Sequence, residues 1–146
     1  MIAGTGIDIA SISRMEKGLS RFGARFSRRL LSPGEETLFP AGTKRAAAFL
    51  AGRWAAKEAA VKALGTGFAG GVAPSDVSVL SLPSGQPFIR RRDTKANPYR
   101  ALKVICDCCT FNIVSGHSAR SLSHNISYRG SASGMGLKNI NSSAVI

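Results

Sequence analysis

The chain has 146 residues, enough for one domain with a buried hydrophobic core and too few for two domains of ordinary size. Its 20 Lys and Arg residues outnumber its 8 Asp and Glu residues, and the net charge of +12 predicts an acidic partner. No apolar run is long enough to span a bilayer and the N-terminus lacks the basic start of a signal peptide, so we expect a cytoplasmic protein without a membrane partner.

The first segment, MIAGTGIDIASI, is typical of a strand and carries Asp8 near its end. A helix is predicted from Ser13 to Phe22, because apolar residues recur there at helical spacing, and Gly23 ends it. A short basic helix follows. Ser32 then caps a further turn in which Glu35 completes a capping box, which gives that carboxylate a structural role.

The longest predicted helix begins near Thr43 and runs to Gly65, whose missing side chain suits a left-handed C-terminal cap. Its larger apolar residues fall on one side, and Glu58 and Lys62 border that stripe. Lys57 falls within the apolar arc, where its ammonium must reach solvent or find a partner.

A glycine-rich loop, an alternating strand (VSVLSL) and a PSGQP turn into another strand come next. The pattern predicts a single α+β domain over residues 1–146, in which one long helix packs on a small, mostly antiparallel sheet. Residues 89–146 are rich in Ser, Gly, Asn and basic side chains, and we expect part of this segment to be disordered. The three cysteines in CDCC (106–109) match no common zinc spacing with His117 and His124, and they predict reduced thiols.

Two acidic residues beside apolar sequence, Asp8 and Glu58, are candidates for holding one divalent ion, because magnesium binds phosphates through few protein carboxylates. Lys62, Lys57 and Arg53 would supply cations for the same phosphates. The alternative is a strand-end Asp that caps a turn and a solvated ion pair on the helix surface. Local spacing leaves both interpretations open.

Four segments, GTGIDI, the basic first helix, RWAAKEAAVKALGTGF and SLPSGQP, agree in order and spacing with one family over residues 1 to about 88. They resemble bacterial holo-acyl-carrier-protein synthase, a phosphopantetheinyl transferase. The resemblance implies a transferase fold and a magnesium-dependent enzyme of fatty acid biosynthesis. Its reaction would move phosphopantetheine from coenzyme A to a serine of acyl carrier protein and release adenosine 3',5'-bisphosphate.

Carried over by matching motif, the resemblance makes Asp8 and Glu58 magnesium ligands and Lys62 a phosphate contact and proton donor to the leaving phosphate. Arg53 and Lys57 would assist the phosphates, and Gly65 would let the backbone approach the cofactor. A base must also take the serine proton, and both Glu58 and a metal-bound water near Asp8 qualify.

The resemblance also implies a homotrimer and an acidic carrier protein that docks on the first helix. Arg14, Arg21 and Arg25 are the predicted contacts, with Phe22 as an apolar anchor.

The segment after Phe88 departs from the family pattern, because the usual strand of alternating Ala and Val has no counterpart there. SLSH (121–124) stands where the family has a similar motif, and the resemblance makes His124 a contact to adenosine. A changed reading frame after Phe88 would explain the departure. The sequence therefore leaves two alternatives to the active transferase, an inactive or frame-altered copy of it and a basic nucleic-acid-binding protein.

Overall fold

The computed structural model describes residues 2–69, 72–91, 103–105, 112–116 and 119–129. In chain order the elements are β1 (Ile2–Ser11), α1 (Ile12–Phe22), α2 (Ala24–Leu30), α3 (Pro33–Glu36), α4 (Thr43–Ala63), a 3-10 turn (Pro74–Asp76), β2 (Val77–Ser81), β3 (Pro87–Arg91), β4 (Lys103–Ile105), β5 (Asn112–Gly116) and β6 (Ala119–Arg129). This arrangement confirms the predicted α+β class. None of the described helices is both long and apolar enough to cross a membrane.

The described strands form two antiparallel sheets of three strands, in the orders β1-β6-β5 and β2-β3-β4. Three of these strands lie in the segment after residue 88, where the sequence showed no counterpart of the family's closing strand. A strand is nevertheless formed at 119–129, where β6 pairs with β1 along nearly its whole length without the Ala and Val pattern. The predicted partial disorder remains a prediction, and the cysteine cluster and His117 lie outside the described residues.

Helix α4 contacts both sheets and is buried along most of its length. Its C-terminal half packs against β2 and β3 in one hydrophobic cluster, and its N-terminal half packs against α1 and the chain after α2 in another. Most of its buried residues are alanines, whose small side chains let neighbouring elements approach closely. Leu50 and Val61 of the predicted stripe are buried, and Trp54 and Leu64 are half-buried.

The end of α4 confirms the predicted glycine cap. Gly65 adopts a φ of 67°, which favours glycine, and its N–H donates to the carbonyl of Lys62 at 3.0 Å. The next amide, of Thr66, donates to the carbonyl of Val61 at 3.1 Å. These hydrogen bonds terminate the helix at Ala63, one residue after the exposed Lys62.

Strand β1 has two different faces because successive side chains alternate. Gly6 and Ala10 are buried on the α4 side, while Ile7 and Ile9 are each 59% exposed on the other. A Cβ atom on Gly6 would lie 2.0 Å from the carbonyl oxygen of Ala59, so only glycine permits this approach of strand and helix. Asp8, two residues further along β1, is therefore carried toward α4.

Candidate active site

An open charge cluster forms where β1 meets α4, and its members are Asp8, Glu58 and Lys62. Asp8 comes from the strand, and the other two lie one helical turn apart. The Lys62 ammonium donates to Asp8 Oδ1 at 2.7 Å. The Lys62 side chain is 52% exposed and that of Asp8 is 15% exposed, so the ion pair faces solvent on the lysine side.

Glu58 lies in the same electrostatic environment. Its pKa is raised from the ordinary value, chiefly by burial and then by the negative charge of Asp8, while Lys62 acts in the opposite direction. The influence of Asp8 shows that the two carboxylates are close enough to repel each other. The structure thus brings together the two acidic residues that the sequence analysis proposed as ligands of one ion.

The open charge cluster fits a magnesium ion better than zinc. No group of three or more His, Cys, Asp or Glu suited to a metal occurs in the described part of the chain. Structural and catalytic zinc sites use three or four protein ligands, whereas magnesium is often held by one or two carboxylates together with substrate phosphates. Burial is the main cause of the raised pKa of Glu58, and a divalent cation would relieve the second cause, the negative charge of Asp8.

A second group of charges, the buried charge cluster, consists of Glu35, Lys57 and Arg53. Lys57 lies fully inside the protein, and its ammonium donates to Glu35 Oε2 at 2.6 Å, to the Pro74 carbonyl at 3.0 Å and to the Leu30 carbonyl. All three donors of the ammonium are therefore used. The Lys57 ammonium thus donates to interior acceptors, and its predicted role as a phosphate contact stays a prediction.

Arg53 joins the same interior group. Its Nε lies 3.7 Å from Glu35 Oε1, and its guanidinium stacks over the Phe49 ring at 4.6 Å from the ring centroid. The side chain is 16% exposed. Burial lowers the pKa of Arg53, and the charge of Glu35 opposes that shift. Its predicted contact with phosphate stays a prediction.

Residues 4–109 match the family model of the 4'-phosphopantetheinyl transferase superfamily. The chain belongs to this superfamily. The match begins before Asp8, contains every member of both charge clusters, and extends past residue 88, where the four matching segments end. The family that the sequence analysis named is thereby confirmed.

Curated relatives of this superfamily member are called holo-[acyl-carrier-protein] synthase. The protein of Nitratidesulfovibrio vulgaris is 58% identical over 87 residues, which are 60% of this chain and 68% of the relative. The protein of Halorhodospira halophila is 49% identical over 104 residues, or 71% of this chain and 82% of the relative.

Solved structures of holo-[acyl-carrier-protein] synthases are similar in fold. The Neisseria meningitidis protein has a TM-score of 0.64 at 26% identity, and the alignment covers 89% of this chain and all of that one. The Bacillus anthracis protein, solved in complex with coenzyme A (3',5'-ADP), has a TM-score of 0.61 at 30% identity, with 90% and 99% covered. The superfamily fold therefore extends into the C-terminal part of the described chain.

Two further predicted site residues of the transferase lie near the open charge cluster in sequence or register. Gly65 follows Lys62 by three residues at the exposed end of α4. His124 lies on β6, where its backbone is the register partner of Asp8. The SLSH motif is thus part of a strand next to β1, and the predicted contacts of Gly65 and His124 with the cofactor stay predictions.

The four residues predicted to bind a carrier protein are all exposed, but they do not share one helix. Arg14, Arg21 and Phe22 lie on α1, whereas Arg25 lies on α2 after the Gly23 corner. The Arg21 guanidinium stacks on the Phe22 ring at 5.0 Å from the ring centroid, which holds a cation beside an exposed apolar surface.

Sequence reasoning missed the importance of Glu35. The predicted capping box exists, since the Ser32 N–H donates to Glu35 Oε2 at 2.8 Å. However, the same carboxylate is also the buried counter-charge of Lys57, 22 residues away. The available signal was the need of Lys57 for a partner within its apolar arc, and nothing in the local pattern identified which acidic residue meets it.

Proposed function

We propose that this chain is a holo-acyl-carrier-protein synthase, which transfers 4'-phosphopantetheine from coenzyme A to a serine hydroxyl of acyl carrier protein. The observation that carries the proposal is the pairing of Asp8 and Lys62 beside Glu58 at the contact of β1 with α4. These residues lie inside the superfamily match, and two relatives with this enzyme name are 58% and 49% identical to the chain over the aligned residues.

The reaction joins the serine oxygen to a phosphorus of the coenzyme A pyrophosphate and breaks the bond to the bridging oxygen. Adenosine 3',5'-bisphosphate is the leaving group. Magnesium, held by Asp8 and Glu58, would neutralise charge that develops on the phosphates. Lys62 contributes a second positive charge from an exposed position, from which its ammonium can contact a bound phosphate and donate a proton to the leaving oxygen.

Glu58 is suited to accept the serine proton. Burial and the neighbouring Asp8 raise the pKa of its carboxyl, so its carboxylate is a stronger base than that of an exposed glutamate. Glu58 would accept the proton of the serine hydroxyl, and Lys62 would donate a proton to the leaving phosphate. The two side chains lie one turn apart on the same helix. A metal-bound water near Asp8 is the second candidate for the base.

The basic surface of α1 and α2 would attract the acidic carrier protein. Arg14, Arg21 and Arg25 are exposed, and Phe22 is 55% exposed beside them. Opposite charges over such a patch raise the rate of encounter more than they raise affinity, and salt weakens the effect. A cytoplasmic location remains part of the proposal and rests on composition alone.

A homotrimer is also proposed, and the outer face of β1 supports it. Ile7 and Ile9 expose two large apolar side chains side by side on that face, which a partner subunit would cover. Sedimentation equilibrium tests the assembly. The wild-type chain should sediment as a trimer, the variant carrying Ile7→Lys and Ile9→Lys should sediment as a smaller species, and a monomeric wild type would contradict the proposal.

Mass spectrometry of an apo acyl carrier protein tests the activity. After incubation with this chain, coenzyme A and magnesium, the carrier protein should gain the mass of one phosphopantetheine. Reactions without coenzyme A, or with a chelator in excess of magnesium, should give no gain. Absence of any gain from folded, soluble chain in the complete reaction would contradict the proposal and favour an inactive copy of the enzyme.

A further inference from the structure

Glu35 and Lys57 of the buried charge cluster have no task in the proposed reaction, yet their hydrogen bonding is extensive. Glu35 Oε2 accepts from both the N–H and the hydroxyl of Ser32, each at 2.8 Å, and from Lys57. Glu35 Oε1 accepts from the backbone N–H of Val79 at 3.1 Å. One carboxylate therefore connects the start of α3, the middle of α4 and strand β2.

Lys57 extends these connections to two more segments. Its ammonium also donates to the carbonyl of Leu30, at the end of α2, and to that of Pro74, in the 3-10 turn. Both side chains are fully buried, at 0% exposure. Four separate segments are thus fixed to a single point on α4.

The composition of α4 explains why such a point is needed. Most of the buried residues on α4 are alanines, and smooth alanine surfaces offer few large side chains to interlock with neighbouring elements. Contacts through alanine alone restrict the rotation of a helix less than interlocking large side chains do. A buried polar pair restricts such movement, because its hydrogen bonds are complete in only one arrangement. Single polar residues in the cores of coiled coils fix the register of the helices in the same way.

The position of the pair on α4 connects it to the open charge cluster. Lys57 immediately precedes Glu58 and lies five residues before Lys62 on the same helix. Because each residue of a helix is rotated by about 100° from the last, fixing Lys57 toward the interior fixes the direction of Glu58 and Lys62 toward β1. On that side, Lys62 meets Asp8 at 2.7 Å.

We infer that Glu35 and Lys57 are positioning residues, whose buried ion pair sets the rotation of α4 and thereby holds Glu58 and Lys62 against Asp8. The inference rests on the proposed function only in its activity measurement, since the geometry is measurable without any substrate. It assigns different tasks to the two charged residues of the AAKEAA segment, with the lysine fixing the helix and the glutamate serving the site.

The test replaces both partners by apolar residues, in the variant with Lys57→Met and Glu35→Leu. Removing the two charges together avoids leaving the Lys57 ammonium uncompensated in the interior, and such replacements of a buried ion pair often preserve stability. Arg53, whose side chain is 16% exposed, keeps its charge without Glu35 in this variant. Crystal structures of the wild type and the variant, with no substrate, should show the Asp8–Lys62 ion pair lost in the variant. The kcat for phosphopantetheine transfer should fall roughly tenfold to a hundredfold, the effect expected of displaced catalytic groups, with the melting temperature retained.

A milder variant, with Lys57→Met and Glu35→Gln, decides the question if the apolar one does not fold, because glutamine keeps an acceptor for Ser32 and Val79. Glu36→Gln, which changes the exposed neighbouring carboxylate on α3, is the matched control and should leave both geometry and kcat unchanged. A folded double variant that keeps the Asp8–Lys62 ion pair would overturn the inference, whatever its activity. An inactive wild type would instead overturn the proposed function, and the crystal structures would still decide the inference.

Discussion

The two charge clusters share helix α4 and differ in how deeply their lysines are buried. In the buried charge cluster, Lys57 is enclosed and each of its donors has an acceptor. In the open charge cluster, Lys62 is half exposed, and Glu58 is close enough to Asp8 for its pKa to be raised. A fully buried lysine whose three donors all have acceptors indicates a structural role, whereas a half-exposed lysine beside carboxylates is free to contact a ligand. Sequence neighbours can therefore belong to different functions.

Breaking the buried charge cluster should have the largest effect on stability. Glu35→Ala leaves the Lys57 ammonium without its counter-charge, and we expect it to lower the free energy of unfolding by about 3–5 kcal/mol. Lys62→Ala, which breaks the exposed ion pair, should lower it by less than about 1 kcal/mol. Urea unfolding of the two variants measures the difference, and equal losses would contradict the distinction between the clusters.

Changing the open charge cluster should affect activity instead. Glu58→Gln removes a magnesium ligand and the proposed base with little change in shape, so we expect kcat to fall by about 10²–10³, the loss typical of one charge-stabilising group. Initial rates of mass gain by the carrier protein measure this effect. Glu16→Gln, a partly exposed carboxylate on α1, serves as the control with unchanged kcat. A Glu58→Gln rate close to that of the wild type would remove Glu58 from the site.

Gly6→Ala should disturb the contact of β1 with α4, which brings Asp8 to Lys62 in the open charge cluster. The added methyl would meet backbone atoms, the Ala59 oxygen at 2.0 Å and the Ala63 nitrogen at 2.7 Å, which cannot move aside as side chains do. We expect a loss of about 1–3 kcal/mol in the free energy of unfolding and a longer distance between Asp8 and Lys62.

Gly34→Ala is the matched control for this substitution. Its added methyl would meet only the Leu80 methyl groups, at 3.7 and 3.9 Å, which is ordinary van der Waals contact. Its free energy of unfolding should stay within about 0.5 kcal/mol of the wild-type value. Equal destabilisation by the two substitutions would show that the close approach at Gly6 is not what limits that position.

The smallest predicted effect is a pH dependence of stability. The pKa of Glu58 is raised in the folded chain, so the folded state holds its proton to higher pH than the unfolded state does. Stability should therefore fall as the pH rises from the ordinary value near 4.5 through the folded pKa, by linkage. Urea midpoints of the wild type, compared with those of Glu58→Gln, should show this decline, and a difference that is constant with pH would contradict it.

Much of the fold followed from local sequence signals. The capping box at Ser32, the helix from Thr43 and the glycine cap at Gly65 were all predicted, because each depends on residues within a few positions of one another. The strand at 119–129 was missed, since its pairing with β1 depends on residues more than a hundred positions away. Serine and arginine in that strand obscure the usual apolar alternation.

The same limit applies to the site. Asp8, Glu58 and Lys62 were chosen from their sequence context and the family resemblance, and the structure brings them together. Lys57 was placed among the phosphate contacts because it is adjacent to Glu58, whereas helix rotation directs it inward to Glu35. A charge pattern shows which residues have unusual surroundings, but the partner of a buried charge becomes visible only when distant segments are assembled.

The central claim, that the open charge cluster performs the transfer, is tested most directly by the rate of phosphopantetheine transfer in Asp8→Asn. This substitution keeps the shape of the side chain and removes its charge, and the exposed ion pair that it breaks contributes less than about 1 kcal/mol to stability. The account predicts that the variant folds with the wild-type melting temperature and transfers at least about a hundredfold more slowly in saturating coenzyme A and magnesium. A folded Asp8→Asn variant that modifies the carrier protein at the wild-type rate would contradict it.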